Sequence, residues 1–333
     1  MSAKQTSFTD PVDRSREVLQ RCSDEYSDAD HIVVAVSGGT DSIVAADVFA
    51  RLGPEYGLEL DAVVHIDTGA AIPQSELTAR VIADLHDVAF IKQGYRNEQD
   101  AIAHRILANG WPGGYGGSPA TGGHGLEWAN RKDKPMQAVY VDLDGYQIWV
   151  SGARKLESKK RKGNVPDSGL EEDRPRRVWC SIIGGWTSAE KQAYIKARGL
   201  PVSEAYLVLG FSGECTACAF DEPGLLTNID LLCPELGFAL RTLAVWLYQR
   251  VKRGDVELAP KRLCWGWDVD DEEADAEQTQ LSDTAQTMVG CDEDSCTTRE
   301  HPMWITELPD EQLVTRVDVE AHWRGDSIDR FPV

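Results

Sequence analysis

The sequence is poor in lysine: 12 lysines stand against 22 arginines, and together these 34 bases face 55 acidic residues, for a net charge of -21. So little positive charge works against non-specific contact with nucleic acid or anionic membrane. The acidic, lysine-poor composition suits a salt-rich cytosol, where screening is short-ranged, and a halophilic origin is expected. No apolar run reaches the roughly 18 residues of a membrane span. The segment from Met1 to Asp13 lacks the apolar stretch of a secretory signal. A cytoplasmic protein is therefore expected. Cysteine is sparse, with 8 in 333 residues. In a cytosolic chain, spaced cysteines read first as metal ligands or redox groups rather than as disulfides.

Hydrophobic residues make up 42% of the chain, enough for a large core. Their arrangement alternates between two periods. A helical pattern over 11–28 leads into the apolar run His31–Val36, which reads as a strand buried on both faces. A helix from Asp41 to Leu52 follows, closed by Gly53-Pro54. Two further units repeat the order: strand Asp61–Ile66 with helix Gln74–Leu85, then strand Val88–Lys92 with helix Glu98–Leu107. A later strand spans Gln147–Val150. Thr187 and Glu190 have the spacing of a capping box, and 229–252 reads as helix. The fold class is α/β, a doubly wound, mostly parallel sheet, with a smaller, mainly helical, cysteine-containing C-terminal region. The expected organisation is a helical segment over 1–29, a nucleotide-binding domain over 30–210 and the cysteine region over 211–333. The last includes an acidic stretch, 268–285, that reads as flexible. A glycine-rich loop over 110–125 is long enough to be functional.

Chemistry concentrates after the first strand, in Ser37-Gly38-Gly39-Thr40-Asp41-Ser42. Glycines let the backbone turn tightly and bring N–H groups to an anion. The hydroxyls add donors, and the next helix offers its positive end. The Gly-Lys-Ser/Thr ending of a Walker A loop is missing. After the second strand comes Asp67-Thr68-Gly69, where a carboxylate can take hydrogen bonds from a nucleoside or help hold Mg²⁺. After the later strand comes Gly152-Ala153-Arg154, then Glu157-Ser158 and Arg161, in a basic stretch over 154–177 that points to a polyanion.

Taken in order, Ser-Gly-Gly-x-Asp-Ser, Asp-Thr-Gly and Gly-x-Arg-x-x-Glu-Ser with a later arginine resemble the PAPS reductase family of the adenine nucleotide α-hydrolase-like (PP-loop) superfamily. Trp186-Thr187 and Leu200-Pro201 extend the resemblance, which covers about residues 30–220. It implies an adenine nucleotide, ATP or else APS or PAPS, with Mg²⁺. The cleft would be lined by Ser37, Gly38, Gly39, Thr40, Asp41, Ser42, Asp67, Thr68, Gly69, Gly152, Glu157 and Ser158. Asp41, Arg154 and Arg161 are the candidate catalytic residues.

Cys215 and Cys218 form a Cys-x2-Cys pair, and Cys291 and Cys296 a looser one, with Cys264 in reserve. Such thiolates can converge on a [4Fe–4S] cluster or a Zn²⁺ ion. Two departures from the family bear on activity. No cysteine follows Cys296, so the C-terminal nucleophile of the thioredoxin-dependent reductases is missing, and no two cysteines are adjacent, unlike the cluster-bearing APS reductases. The resemblance is therefore to the members with a cysteine cluster. It implies an ATP pyrophosphatase that adenylates an acceptor for sulfur transfer, as in nucleic-acid thiolation, with nucleic acid or a sulfur-donor protein as partner. The alternatives are a PAPS or APS reductase, and a non-catalytic nucleotide-binding subunit of a defence or modification complex.

Overall fold

The computed structural model describes residues 10–95, 101–111, 129–157, 159–214, 216, 225–258 and 308–324. In chain order the elements are α1 (Pro11–Tyr26), β1 (His31–Ala35), α2 (Thr40–Leu52), β2 (Ala62–Ile66), α3 (Pro73–Leu85), β3 (Ala89–Gln93) and α4 (Ile102–Asn109). Then come α5 (Lys134–Leu143), β4 (Gln147–Val150), the short α6 (Lys159–Asn164), β5 (Leu170–Arg174), β6 (Arg177–Cys180), α7 (Ser188–Arg198) and β7 (Val202–Ser203). The chain continues through α8 (Ala205–Leu209), α9 (Leu225–Leu232), α10 (Pro234–Lys252), β8 (Leu313–Val314) and α11 (Arg316–Arg324). Among the described residues no helix is long and apolar enough to cross a membrane.

Six strands form one sheet in the order β3-β2-β1-β4-β6-β5. All pairs are parallel except β5 with β6. The chain moves outward from β1 through β2 to β3, then returns to the other side of β1 as β4. The strand order thus reverses between β1 and β4, and the carboxyl ends of these two strands flank the crevice where such sheets bind ligands. β1, β2 and β4 are apolar because helices cover both faces. Val34, Val63, Ile148 and Val178 pack beneath α1, α2, α3 and α7, while Val33, Val64 and Trp149 face α5. This is the doubly wound architecture expected from the sequence.

Several elements depart from the pattern read along the chain. The stretch 154–177 holds β5, and β6 follows at its end. β5 carries the sequence Leu-Glu-Glu-Asp-Arg and lies at the sheet edge, where charge discourages further pairing. Its hydrophobic alternation is therefore absent. The helix expected over 229–252 is two helices, broken at Cys233. Pro234 begins α10, and Cys233 before it is extended, with φ -151° and ψ 84°, as a residue preceding proline prefers. α5 has no counterpart in the sequence reading.

α9 and α10 build a second core with α4, α8 and the turn after β2, through Ala70, Ile72, Ile106, Leu226, Ile229 and Leu240. The two-residue strand β8 pairs in parallel with β7, and α11 lies on α3 through Leu77, Val81 and Val319.

Asp47 ties α2 to α7 and to the end of α3. Its side chain is fully buried. Tyr194 donates to Oδ2 at 2.7 Å, Arg198 Nε donates at 3.1 Å, and His86 Nε2 lies 3.3 Å from Oδ1. Burial alone would raise its pKa, but the hydrogen bonds from His86, Arg198 and Tyr194 outweigh it and hold Asp47 at about 2, below its ordinary 3.8. A depressed carboxylate stabilises the fold above its unfolded pKa and loses that contribution as pH falls through its folded one. The loss therefore spans about pH 5 to 2 and amounts to about 2 kcal/mol. Urea unfolding across that range should show wild type losing about this much more stability than Asp47→Asn. Parallel curves for the two proteins would remove the assignment.

Candidate functional site

The loop leaves β1 at Val36, whose N–H donates to the Val64 carbonyl of β2 at 2.9 Å. Its shape is held from within. Ser42 Oγ donates to the Gly39 carbonyl at 2.9 Å and accepts from the Ser37 N–H at 3.3 Å. Ser37 Oγ accepts from the Gly39 N–H at 3.3 Å. Gly38 sits at φ +78°, and a methyl group there would lie 2.6 Å from the Ser75 carbonyl oxygen, so only glycine fits against α3. Gly39 starts α2 without a capping side chain, leaving the helix's positive end directed at the loop. Gly38, Thr40 and Ser42 are buried, while Ser37, Gly39 and Asp41 keep part of their surface open. These three are the accessible face of the loop.

The second strand end brings Asp67, half-exposed, whose Oδ1 accepts from the Gly69 N–H at 2.8 Å and whose other oxygen lies 3.1 Å from Lys92 Nζ. Thr68 is buried and donates to the Glu214 carbonyl at 2.6 Å. Ile72 N–H donates to the Gly213 carbonyl and Thr216 N–H to the Ala70 carbonyl. Lys132 Nζ pairs with the Glu214 carboxylate at 2.7 Å. The turn after β2 is thus stitched to Gly213, Glu214 and Thr216, the last two being the neighbours of Cys215.

The third strand end brings Gly152 against the loop. A methyl group on Gly152 would stand 2.6 Å from both the Asp41 carbonyl carbon and the Ser42 nitrogen. Two residues on, Arg154 is completely buried. Its Nε donates to Asp41 Oδ1, and its Nη1 lies 3.3 Å from the Trp186 carbonyl and 3.4 Å from Ser188 Oγ. The sequence places Arg154 on the ligand. In the structure the guanidinium lies behind Asp41 instead, where it fixes that carboxylate. Glu157 N–H donates to the Arg154 carbonyl at 3.3 Å.

Lys191, Tyr206 and Ser15 went unnoticed in the sequence. Lys191, fully buried on α7, donates to Thr40 Oγ1 at 2.8 Å and lies 3.3 Å from Asp41 Oδ1. Tyr206 Oη accepts from the Thr40 N–H at 3.0 Å. Ser15 of α1 accepts from Trp186 Nε1 at 3.0 Å and donates to the Ile182 carbonyl at 2.9 Å, holding the residue whose carbonyl meets Arg154. No local motif marks these residues, because each acts across more than 100 positions of sequence.

The basic stretch is substantially paired with carboxylates. Lys155 meets Asp167, Arg174 lies 3.4 Å from Asp133, and Arg177 Nε donates to Asp173 at 2.8 Å. Ser158, the side chain of Arg161, and Cys215, Cys218, Cys264, Cys291 and Cys296 lie outside the described residues, as does 268–285; so does 112–125, most of the glycine-rich loop. The described cysteines, Cys22, Cys180 and Cys233, are buried and free. Among the described residues no group of three or more histidine, cysteine or acidic side chains is arranged to hold a metal. A cavity of about 380 Å³ opens near Asp67, lined by His65, Glu76, Arg80, Lys92 and Trp323, and none of Ser37–Ser42 lines it.

A glycine-rich loop between the first strand and its helix, at the reversal point of the sheet, defines a doubly wound α/β protein. The family model for the phosphoadenosine phosphosulfate reductase domain matches residues 31–211, more than half of the chain, and the chain belongs to that family. No curated protein matches the sequence. Among solved structures, phosphoadenylyl-sulfate reductase from Candida auris, in its phosphate complex, is similar at 17% identity, covering 60% of this chain and 85% of that one, with a TM-score of 0.41. The U34-tRNA thiolase NcsA from Methanococcus maripaludis, with its [4Fe-4S] cluster, is similar at 10% identity over 71% and 78% of the two chains, TM-score 0.40. NMN synthetase from Francisella tularensis follows at 13% identity over 76% and 99%, TM-score 0.39. Identities and scores this low carry no argument about chemistry.

Proposed function

We propose that the protein is an ATP pyrophosphatase of the PAPS reductase family that activates an acceptor for sulfur transfer. The observation that carries this reading is the loop: Ser37, Gly39 and Asp41 open at the crevice, with Asp41 held from behind by Arg154 and Lys191. An acceptor oxygen attacks the α-phosphorus of ATP. The bond from that phosphorus to the α,β-bridging oxygen breaks, and pyrophosphate leaves with the electron pair. A sulfur nucleophile then displaces AMP from the adenylated acceptor. The chain's own part is electrostatic. Loop amides and the α2 terminus would stabilise charge growing on the leaving pyrophosphate, and Asp41 would be the carboxylate to hold the Mg²⁺ that accompanies the nucleotide. Sulfonucleotide reduction fits less well, because it needs a thiol nucleophile. No Glu-Cys-Gly-x-His motif, where the thioredoxin-dependent reductases carry that thiol, occurs in the given residues, and the three described thiols are buried. Cys215, Cys218, Cys291 and Cys296, with Cys264 in reserve, would hold an iron–sulfur cluster or zinc ion. The anchoring of Glu214 and Thr216 on the turn after β2 supports placing the first pair near the crevice.

Anaerobic incubation with ATP, APS and PAPS, followed by product identification, tests the reading. Pyrophosphate and AMP released from ATP in the presence of the acceptor are expected. Sulfite from APS or PAPS would replace the proposal with a reductase, and nucleotide binding without any turnover would replace it with a non-catalytic subunit.

A further inference from the structure

Lysine is rarely buried completely, because its ammonium gives up several kcal/mol of hydration. Lys191 is nonetheless at 0% exposure. It reaches from α7 to the first turn of α2 and touches two consecutive loop residues, Thr40 at Oγ1 and Asp41 at Oδ1. Arg154, equally buried, comes from the β4 side to the same oxygen, Oδ1. Two cations on separate elements thus converge on one oxygen of a carboxylate whose side chain is 24% exposed. Two donors on Oδ1 restrict the rotation of a carboxylate that keeps part of its surface open. The Thr40 hydroxyl, held by the same ammonium, locks the residue before it. An apolar side chain of similar length would fill the site without the ammonium's desolvation cost, and Asp41 would keep its pair with Arg154.

We propose that Lys191 is a positioning residue of the nucleotide site, acting through Asp41 rather than through the ligand. The inference rests on the nucleotide reading given above, and the two can fail separately. Calorimetric titration of the full-length protein with Mg·ATP, and with inorganic pyrophosphate as a second probe, provides the test. Lys191→Met leaves Asp41 its pair with Arg154, so it should stay folded with a modest change in melting temperature, yet bind about 10- to 100-fold more weakly, the usual cost of a lost charged hydrogen bond. Lys191→Gln keeps a donor for Thr40, removes the charge and should fall between. It also stands in if the methionine variant does not fold. In a double-mutant cycle, Lys191→Met added to Asp41→Asn should weaken binding no further, because the lysine's effect passes through that carboxylate. A lowered melting temperature with unchanged affinity would make the residue structural and overturn the proposal, as would additive losses in the cycle. Wild-type protein that binds neither probe would overturn the nucleotide reading itself. Tight wild-type binding matched by Lys191→Met would overturn this inference alone.

Discussion

Asp41→Ala should abolish ATP turnover and destabilise the fold by about 3–5 kcal/mol, the range measured when one partner is removed from a buried ion pair. Both effects have one cause. Arg154 and Lys191 are fully enclosed, and Asp41 is the carboxylate they share. Without it, two like charges face each other across the space it leaves, in a region where screening by water is weak. The loop would then relax away from α7, because Thr40 is held by the same lysine. Asp41→Asn keeps the shape and loses the charge, so it should lose turnover with a smaller stability cost. Urea denaturation beside a pyrophosphate-release assay reads both quantities. An alanine variant with wild-type stability would show that the cations are satisfied without Asp41, and wild-type turnover would place the chemistry elsewhere.

Gly152→Ala should be nearly as damaging, although it adds a single methyl group. That methyl would sit 2.6 Å from two backbone atoms, the Asp41 carbonyl carbon and the Ser42 nitrogen. A side chain in the way can rotate, but a backbone in the way must move. The segment after β4 would be pushed off the loop after β1, opening the crevice at the point where the strand order reverses. Overpacking of this kind costs about 1–3 kcal/mol, and nucleotide affinity should fall about 100-fold as the loop amides lose register. Gly163→Ala is the control, since nothing lies within 4 Å of a methyl group there. Equal affinity for the Gly152 and Gly163 variants would show that the two loops tolerate separation.

The phosphate loop was legible because its evidence is local: an apolar strand, a glycine turn and a helix, all within 22 residues of chain from His31 to Leu52. The parallel sense of the first strands was legible for the same reason, β1, β2 and β3 each being followed by its own helix. What could not be read is what the loop rests on. Lys191 stands in Ser-Ala-Glu-Lys-Gln, at the start of a capped helix, where a lysine reads as solvent-facing. Only the packing of α7 on α2 turns it inward. Arg154 was found by its motif but not by its direction, because the burial of a side chain depends on the elements that close over it, here α7 and the turn before it. β5 escaped because an edge strand needs little apolar surface, and Leu170–Arg174 supplies one apolar residue in five.

The pairing of β7 with β8 has a topological consequence. Val202 and Ser203 pair with Leu313 and Val314, Glu204 N–H donates to the Val314 carbonyl at 3.0 Å, and the Arg316 N–H is held by the Glu204 carboxylate. Val319 then seats on Leu77 and Val81 of α3. Every one of these attachments joins the C-terminal piece to residues before Leu209, and none relies on the peptide chain that links Leu258 to Leu308. A single backbone cut within it would leave two polypeptides that still travel as one particle through a sizing column, separating only in denaturant. The C-terminal clasp is thus seated by its own contacts with β7 and α3.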